Sequence, residues 1–379
     1  MKRESLIPRP DWPAQMEALG FTYHSIDGVY WDERACYRFS SEEINMLEAA
    51  TQELHEMCLD VVGEVVTRGD YGCFAITDAH AAMVEHSWNE DEATLFGRFD
   101  LAWDGSAPPK LLEYNADTPT ALLEASVAQW YWLEAVKPGT DQFNSLHEKL
   151  IARWREIAVG LPSSTVHFAC AADSEEDVGN LDYLRDVATQ AGIEAPFVGI
   201  SDIGWDAVGR RFVDLEDREI QTLFKLYPWE WMTREAFGLN LAGTRTRFIE
   251  PAWKMLLSNK AILPLLWQKY PGHPNLLAAY FELQRFATDF VKKPLLSREG
   301  ANIAISSAEG LYESGGEYGN EGYVYQAYHP LPNFRANGED NHMVIGSWIV
   351  GGEAAGIGIR EDATPITRDT SRFVPHYFA

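Results

Sequence analysis

Three features of this 379-residue chain predict a mixed α+β or α/β fold, built mainly on antiparallel sheets with one small strand–helix–strand lobe. Two alternating runs near residue 100 read as a hairpin, and a strand, helix, strand succession occupies residues 164–200. From Phe290 onward, β-branched and aromatic runs alternate with turn residues.

Taken in order, residues 1–38 are rich in Pro and aromatic side chains, and irregular chain wrapping the body is expected there. Ser40 and Glu43 form a capping box, each side chain satisfying the other's backbone N–H at a helix start. The helix it opens carries Ile44, Leu47, Leu54, Cys58, Val61, Val62 and Val65 at three- and four-residue spacing, so a buried stripe runs to about residue 67. Arg98–Trp103 and Lys110–Asn115 alternate on either side of a turn at Trp103–Ser106. Thr118 to Leu133 is predicted as a helix begun by Thr118 or Thr120, which would set a positive helix end just past Asn115. Thr165–Ala171, a helix from Glu175 to Ala191 closed by Gly192, and Ala195–Ile200 make a βαβ unit and imply a small parallel sheet. That unit lacks G-x-G-x-x-G, so nothing indicates a dinucleotide. Residues 221–288 look helical, with aromatics such as those of Phe224–Trp231 mostly core. Strands are expected around Phe290–Pro294, Ile303–Ile305, Tyr323–Tyr328 and Met343–Val350, the last returning through Gly351-Gly352 over Ala354–Arg360.

Length and a 46% hydrophobic content allow a large core. The 31 basic and 57 acidic side chains give a formal charge of −26, which argues against nucleic acid and anionic membranes as partners. Cys36, Cys58, Cys73 and Cys170 are scattered without metal-knuckle spacing, and His80, His86, His329, His342 and His376 build no metal set. The start has no apolar signal region and no run is long enough to span a bilayer, so a cytoplasmic protein is expected.

The chemistry concentrates in the hairpin. Residues i and i+2 of a strand share a face, so Arg98 and Asp100 point one way, as do Glu113 and Asn115. If the runs pair, three oxygen donors and a guanidinium share one face, a set suited to Mg²⁺ and to charge on a transferring phosphoryl group. A salt-bridged surface explains the same spacing. Further along, Lys260 and Lys293 stand in apolar surroundings, and Ser297–Asn302 is a glycine-bearing turn whose N–H groups and Arg298 could close over phosphates. Tyr325–Tyr328 would offer backbone hydrogen bonds to an adenine edge.

Five ordered blocks carry a resemblance: Gly97–Asp100; Leu112–Asp117; Pro251–Lys254 with Ser258–Pro264; Lys293-Pro294 with Ser297–Gly300; and Gly358–Asp362. Together they resemble the glutathionylspermidine synthase family, and more narrowly its short bacterial acid–amine ligases. The resemblance implies an ATP-grasp fold, with ATP and Mg²⁺ used to join a carboxylate to an amine, such as a polyamine, through an acyl phosphate. It implies Arg98 as stabiliser of phosphoryl transfer, Asp100, Glu113 and Asn115 as Mg²⁺ ligands, and Phe99 beside them in the ATP site. Lys260, Lys293, Arg298 and Gly300 would contact phosphates, Gln326 and Tyr328 the adenine pocket, while Arg360, Pro365, Ile366 and Thr367 would close the nucleotide site under the lid turn at 297–302. Thr118 falls where the family contacts a thiol peptide. Glu176 and Asp177 fall near an acidic substrate pair, although capping of their own helix explains them too. The expected parts are 1–160 with the metal hairpin, 161–245 as the βαβ-like lobe and 246–379 as the nucleotide-binding part, interlocked in one ligase unit. No amidase domain fits before it, so hydrolysis of the product is not expected. Two other readings stay open: an ATP-binding regulatory or scaffold protein without turnover, and a ligase using an amino acid in place of a polyamine.

Overall fold

The computed structural model describes residues 1–379 except Asp27, Glu309 and Asn337. Its centre is a five-stranded antiparallel sheet in the order Arg372–Val374, Glu353–Asp362, His342–Val350, Phe96–Ala102, Lys110–Asn115. The Gly351-Gly352 turn joins the two longest strands, with φ of 60° and 89°. Both residues thus take the left-handed conformation that a two-residue hairpin of this twist demands.

The helix Ser41–Arg68 packs on this sheet, with the capping box formed and Gly69 ending it at φ 66°. All seven stripe residues are buried, and they share one core with the sheet residues Phe99, Leu101, Ile345 and Ile357. Residues 1–38 are more regular than expected. They contain the strand Lys2–Ser5, the helix Trp12–Ala18 and the start of Ala35–Phe39, which pairs with Lys2–Ser5 and with the C-terminal strand His376–Phe378.

The βαβ unit forms as predicted: His167–Cys170, helix Glu175–Gln190 and Phe197–Gly199, with the strands parallel. The sheet continues through Thr222–Leu226 and Arg247–Ile249, also parallel, and this corrects the helical reading of 221–288. Every residue of Thr222–Leu226 is buried. A strand covered on both faces lacks the alternation that would reveal it. A further five-stranded antiparallel sheet has the order Ala279–Tyr280, Tyr323–Ala327, Phe290–Pro294, Ala304–Ser307, Gly310–Glu313. Its last strand is exposed and carries no pattern in the sequence. Among the described residues no helix is long and apolar enough to cross a membrane.

Candidate active site

The hairpin register pairs Arg98 with Asn115 and Asp100 with Glu113, so all four side chains stand on one face. That face is the floor of a cleft. Across it, the neighbouring strand offers Gly346 opposite Asp100, and a Cβ there would lie 2.8 Å from Arg98 Cδ. Glycine at that position lets Arg98 lie flat across the sheet. Its Nε donates to Asp100 Oδ1 at 2.8 Å and its Nη1 to the Thr120 carbonyl at 2.8 Å. Arg360, from the strand Glu353–Asp362, reaches Asp100 Oδ2 at 2.9 Å. The salt bridge anticipated from spacing therefore exists, but in the buried floor of a cleft rather than on a surface.

Phe99 is the exception among the expected site residues. Period-two alternation turns it to the opposite face, where it is fully buried and stacks on Tyr114 at 3.7 Å between ring centroids. Its side chain belongs to the core, which corrects its assignment to the nucleotide site.

The two lysines stand over the hairpin. Lys260, between the helices Lys254–Ser258 and Ile262–Lys269, lies 3.0 Å from Glu113 Oε2 and donates to the Ser297 carbonyl at 2.6 Å. Lys293 donates to the Leu112 carbonyl at 2.8 Å and to Gln326 Oε1 at 2.7 Å. Gln326 is held from its other end by the Leu111 carbonyl at 3.0 Å, so it steers Lys293 over the hairpin. Shielding from water would raise the Glu113 carboxyl, but Lys260 and Lys293 outweigh it and hold the group below its usual range. Burial pushes the Lys293 ammonium down, against the pull of Glu113. A cation cluster facing carboxylates in a cleft can hand its charge to phosphate oxygens, while the carboxylates turn to a metal.

The opposite wall is the turn at 297–302. Gly300 adopts φ +70°, and a Cβ there would meet the Thr367 carbonyl at 2.6 Å and Ile366 Cγ2 at 2.8 Å, so the turn seats directly on Pro365–Thr367. Ile303, Ile305 and Ile366 form an apolar cluster with Val291 and Tyr328 packed against it, a wall suited to a flat ring. The N–H groups of Ala327 and Tyr328 donate to the carbonyls of Ala278 and Asp289, so these two of the main-chain groups expected to meet an adenine edge are already engaged. Arg298 lines the cleft, yet its guanidinium is bidentate on Glu230 at 2.8 and 3.2 Å and donates to Thr118 Oγ1 at 2.7 Å. Through Glu230 the turn is tied to the parallel-sheet lobe.

The helix expected from Thr118 or Thr120 begins later, at Leu122, after Ala121 takes φ +66°. Asn180 Oδ1 accepts the Leu122 N–H at 3.1 Å, so the cap comes from a helix far along the chain. Thr118 and Thr120 are left as extended cleft wall. Glu176 and Asp177 also face the cleft, in the first turn of a helix capped by Ser174, so capping and cleft lining coincide. Burial, with Glu124, Asp177 and Glu299 nearby, pushes the Glu176 carboxyl up to about 8. Burial, opposed by the Ser174 hydrogen bond and reinforced by Glu299, pushes Asp177 up to about 6.

Thus every expected site residue except Phe99 lines one cleft. The sequence reading missed Tyr30, Trp231 and Asp369, which line the cleft from separate segments and carry no local motif, and Glu230, which holds Arg298 from behind the lining. Glu124, buried behind Tyr30, had a signal: it is the lone acid in the apolar run Ala121–Ala128. Among the described residues no three His, Cys, Asp or Glu side chains converge on a metal position. The donors present are two carboxylates and the Asn115 amide, whose nitrogen donates to Glu113 Oε1 at 3.1 Å and leaves its oxygen as acceptor. Such a partial oxygen set fits Mg²⁺, which completes its shell with water and phosphate.

Comparison with known proteins bears on the family and the fold. The family described as glutathionylspermidine synthase pre-ATP-grasp matches residues 3–379. A Haemophilus influenzae protein named as a candidate acid–amine ligase is 44% identical, each chain covering 100% of the other. Trypanothione synthetase of Crithidia fasciculata is 28% identical over 85% of this chain and 53% of its own length. The bifunctional glutathionylspermidine synthetase/amidase of Escherichia coli is 26% identical over 96% of this chain and 63% of its own. This chain therefore spans rather more than half of those two larger proteins. A glutathione synthetase-like effector of Globodera pallida shares the fold, with a TM-score of 0.55 at 10% identity over 99% of this chain and 100% of its own.

Proposed function

Because the chain belongs to the glutathionylspermidine synthase pre-ATP-grasp family, we propose that it uses ATP to join a carboxylate to an amine through an acyl phosphate. The observation that carries the reading is the convergence, in one cleft, of the hairpin face, the two buried lysines, the glycine turn and an acidic pair. Phosphoryl transfer asks mainly for positioning and charge stabilisation, and these residues supply both.

In this account Arg98 and Arg360 let go of Asp100 to meet phosphoryl oxygens, and Lys260 and Lys293 neutralise the remaining charge. Asp100, Glu113 and Asn115 would hold Mg²⁺, which would neutralise charge on the phosphate chain. The substrate carboxylate attacks the γ-phosphorus, and the turn at 297–302, seated on Pro365–Thr367, excludes water that would hydrolyse the mixed anhydride. A neutral amine then attacks the acyl carbon and phosphate leaves. Thr118 would contact the acid substrate. Glu176 and Asp177 would receive a cationic amine, whose charge favours their ionised forms over the protonated forms that burial favours. The names of the relatives make a thiol peptide and a polyamine the first pair to try.

The test is release of ADP and phosphate that requires both a carboxylate and an amine, assayed across peptides, polyamines and amino acids. Arg98→Ala should lower that release by about 10³-fold while nucleotide affinity changes by less than about tenfold. Comparable turnover in the variant contradicts the role of Arg98. Tight ATP binding without amine-dependent release contradicts the ligase reading itself.

A further inference from the structure

Glu124 is wholly buried, in a π-helical turn over Glu124–Ala128 whose other residues are small or apolar. Its Oε1 accepts the Tyr30 hydroxyl at 2.7 Å, while Oε2 has no hydrogen-bond partner among the described residues. Tyr30 in turn lines the cleft. The groups facing Glu124 are Tyr30 and Tyr23 from the N-terminal segment, Arg98 from the hairpin and Glu176 from the helix Glu175–Gln190. None is a cation paired to it at salt-bridge distance. An acid buried without a cation partner costs stability that an apolar side chain would not, and π-turns concentrate at functional positions.

We propose that Glu124 is the terminal proton acceptor of the ligation step, reached from the cleft through the Tyr30 hydroxyl. The inference rests on the ligase reading above. An ammonium drawn in by Glu176 and Asp177 is no nucleophile, and a carboxylate that holds it by charge strengthens its grip on the proton. A separate acceptor is needed, one that does not itself bind the amine. The ammonium N–H bond breaks as its proton passes to Tyr30 Oη, while the Tyr30 proton passes to Glu124 Oε1. The freed lone pair forms the C–N bond at the acyl carbon, and the C–O bond to phosphate breaks with its electron pair leaving on phosphate. A second proton goes from nitrogen to the departing phosphate. Burial, opposed by the Tyr30 hydrogen bond, pushes Glu124 up to about 7, so it takes up a proton in the range where the enzyme works.

The experiment compares spermidine with hydroxylamine as acceptors, glutathione being the acid, in Glu124→Gln and Tyr30→Phe. Hydroxylamine is largely the free base at neutral pH, so it has no ammonium proton to give up before attack, and it traps acyl phosphates directly. In both variants the ratio of spermidine to hydroxylamine rates should fall about 100-fold, and the acidic limb of the spermidine pH profile should disappear. Equal losses with both acceptors, or an unchanged acidic limb, overturn the relay. If the wild type makes neither amide nor hydroxamate, the ligase reading fails with these substrates, and infrared spectra decide the relay separately. One protonated-carboxyl band that titrates near neutral pH in the wild type should then vanish in Glu124→Gln, while those of Glu176 and Asp177 remain. Absence of that band in the wild type overturns the proposal.

Discussion

Glu124 and Lys225 are both wholly buried and meet desolvation in different ways. Lys225 keeps a counter-ion, Asp117, which also accepts the Trp229 N–H at 2.9 Å, and its ammonium lies 4.7 Å from the Trp229 ring centroid. Glu124 has no cation partner, and burial raises its carboxyl from 4.5 to about 7. The sign follows from proton counts. Between those values the folded chain holds a proton the unfolded chain has released, so this group favours the fold below the window and that advantage is lost as pH rises through it. Relative to wild type, Glu124→Gln should therefore gain stability from about pH 5 to 7, by up to about 3 kcal/mol, and stay level above. Urea denaturation at steps of pH measures this, and a pH-independent difference would mean that Glu124 does not titrate there. Legibility at this scale varied residue by residue. Arg98, Asp100, Glu113 and Asn115 were readable because alternation fixes faces, and the same rule turns Phe99 into the core. Tyr30 and Trp231 reach the cleft only through tertiary packing.

The turn at 297–302 is the element to which the proposed ligation assigns exclusion of water. Gly300→Ala would put a methyl group 2.6 Å from the Thr367 carbonyl at φ +70°, so the turn must lift from Pro365–Thr367. ATP affinity should fall by about tenfold or more, with the rest of the fold intact, as calorimetry and circular dichroism would show together. Unchanged affinity would contradict the part given to this turn. The turn itself was visible in the sequence from Gly300 between two β-rich runs. Thr222–Leu226 was not, because burial on both faces erases its alternation and Lys225 hides its charge against Asp117, nor was Arg247–Ile249, an edge strand of three residues too short to show a period. The start of the helix at Leu122 was also missed. Its cap is Asn180, and no local sequence window contains both residues.

Over the whole molecule, a chain of net charge −26 gathers Arg98, Arg360, Lys260, Lys293 and Arg298 around one cleft. In the proposed reaction the acidic surroundings would draw in a cationic amine, and the cations inside would hold phosphate. Three sheets make this possible. The central sheet supplies the floor, the sheet containing Phe290–Pro294 and Ala304–Ser307 brings Lys293 and the glycine turn, and the parallel lobe fastens that turn through Glu230. The central claim is that this cleft makes an acyl phosphate. Turnover with a carboxylate labelled with ¹⁸O, read by mass spectrometry of the released phosphate, tests it most directly. One labelled oxygen should appear in phosphate for each amide formed, with ADP as the nucleotide product; unlabelled phosphate, or AMP and pyrophosphate in its place, would contradict the account.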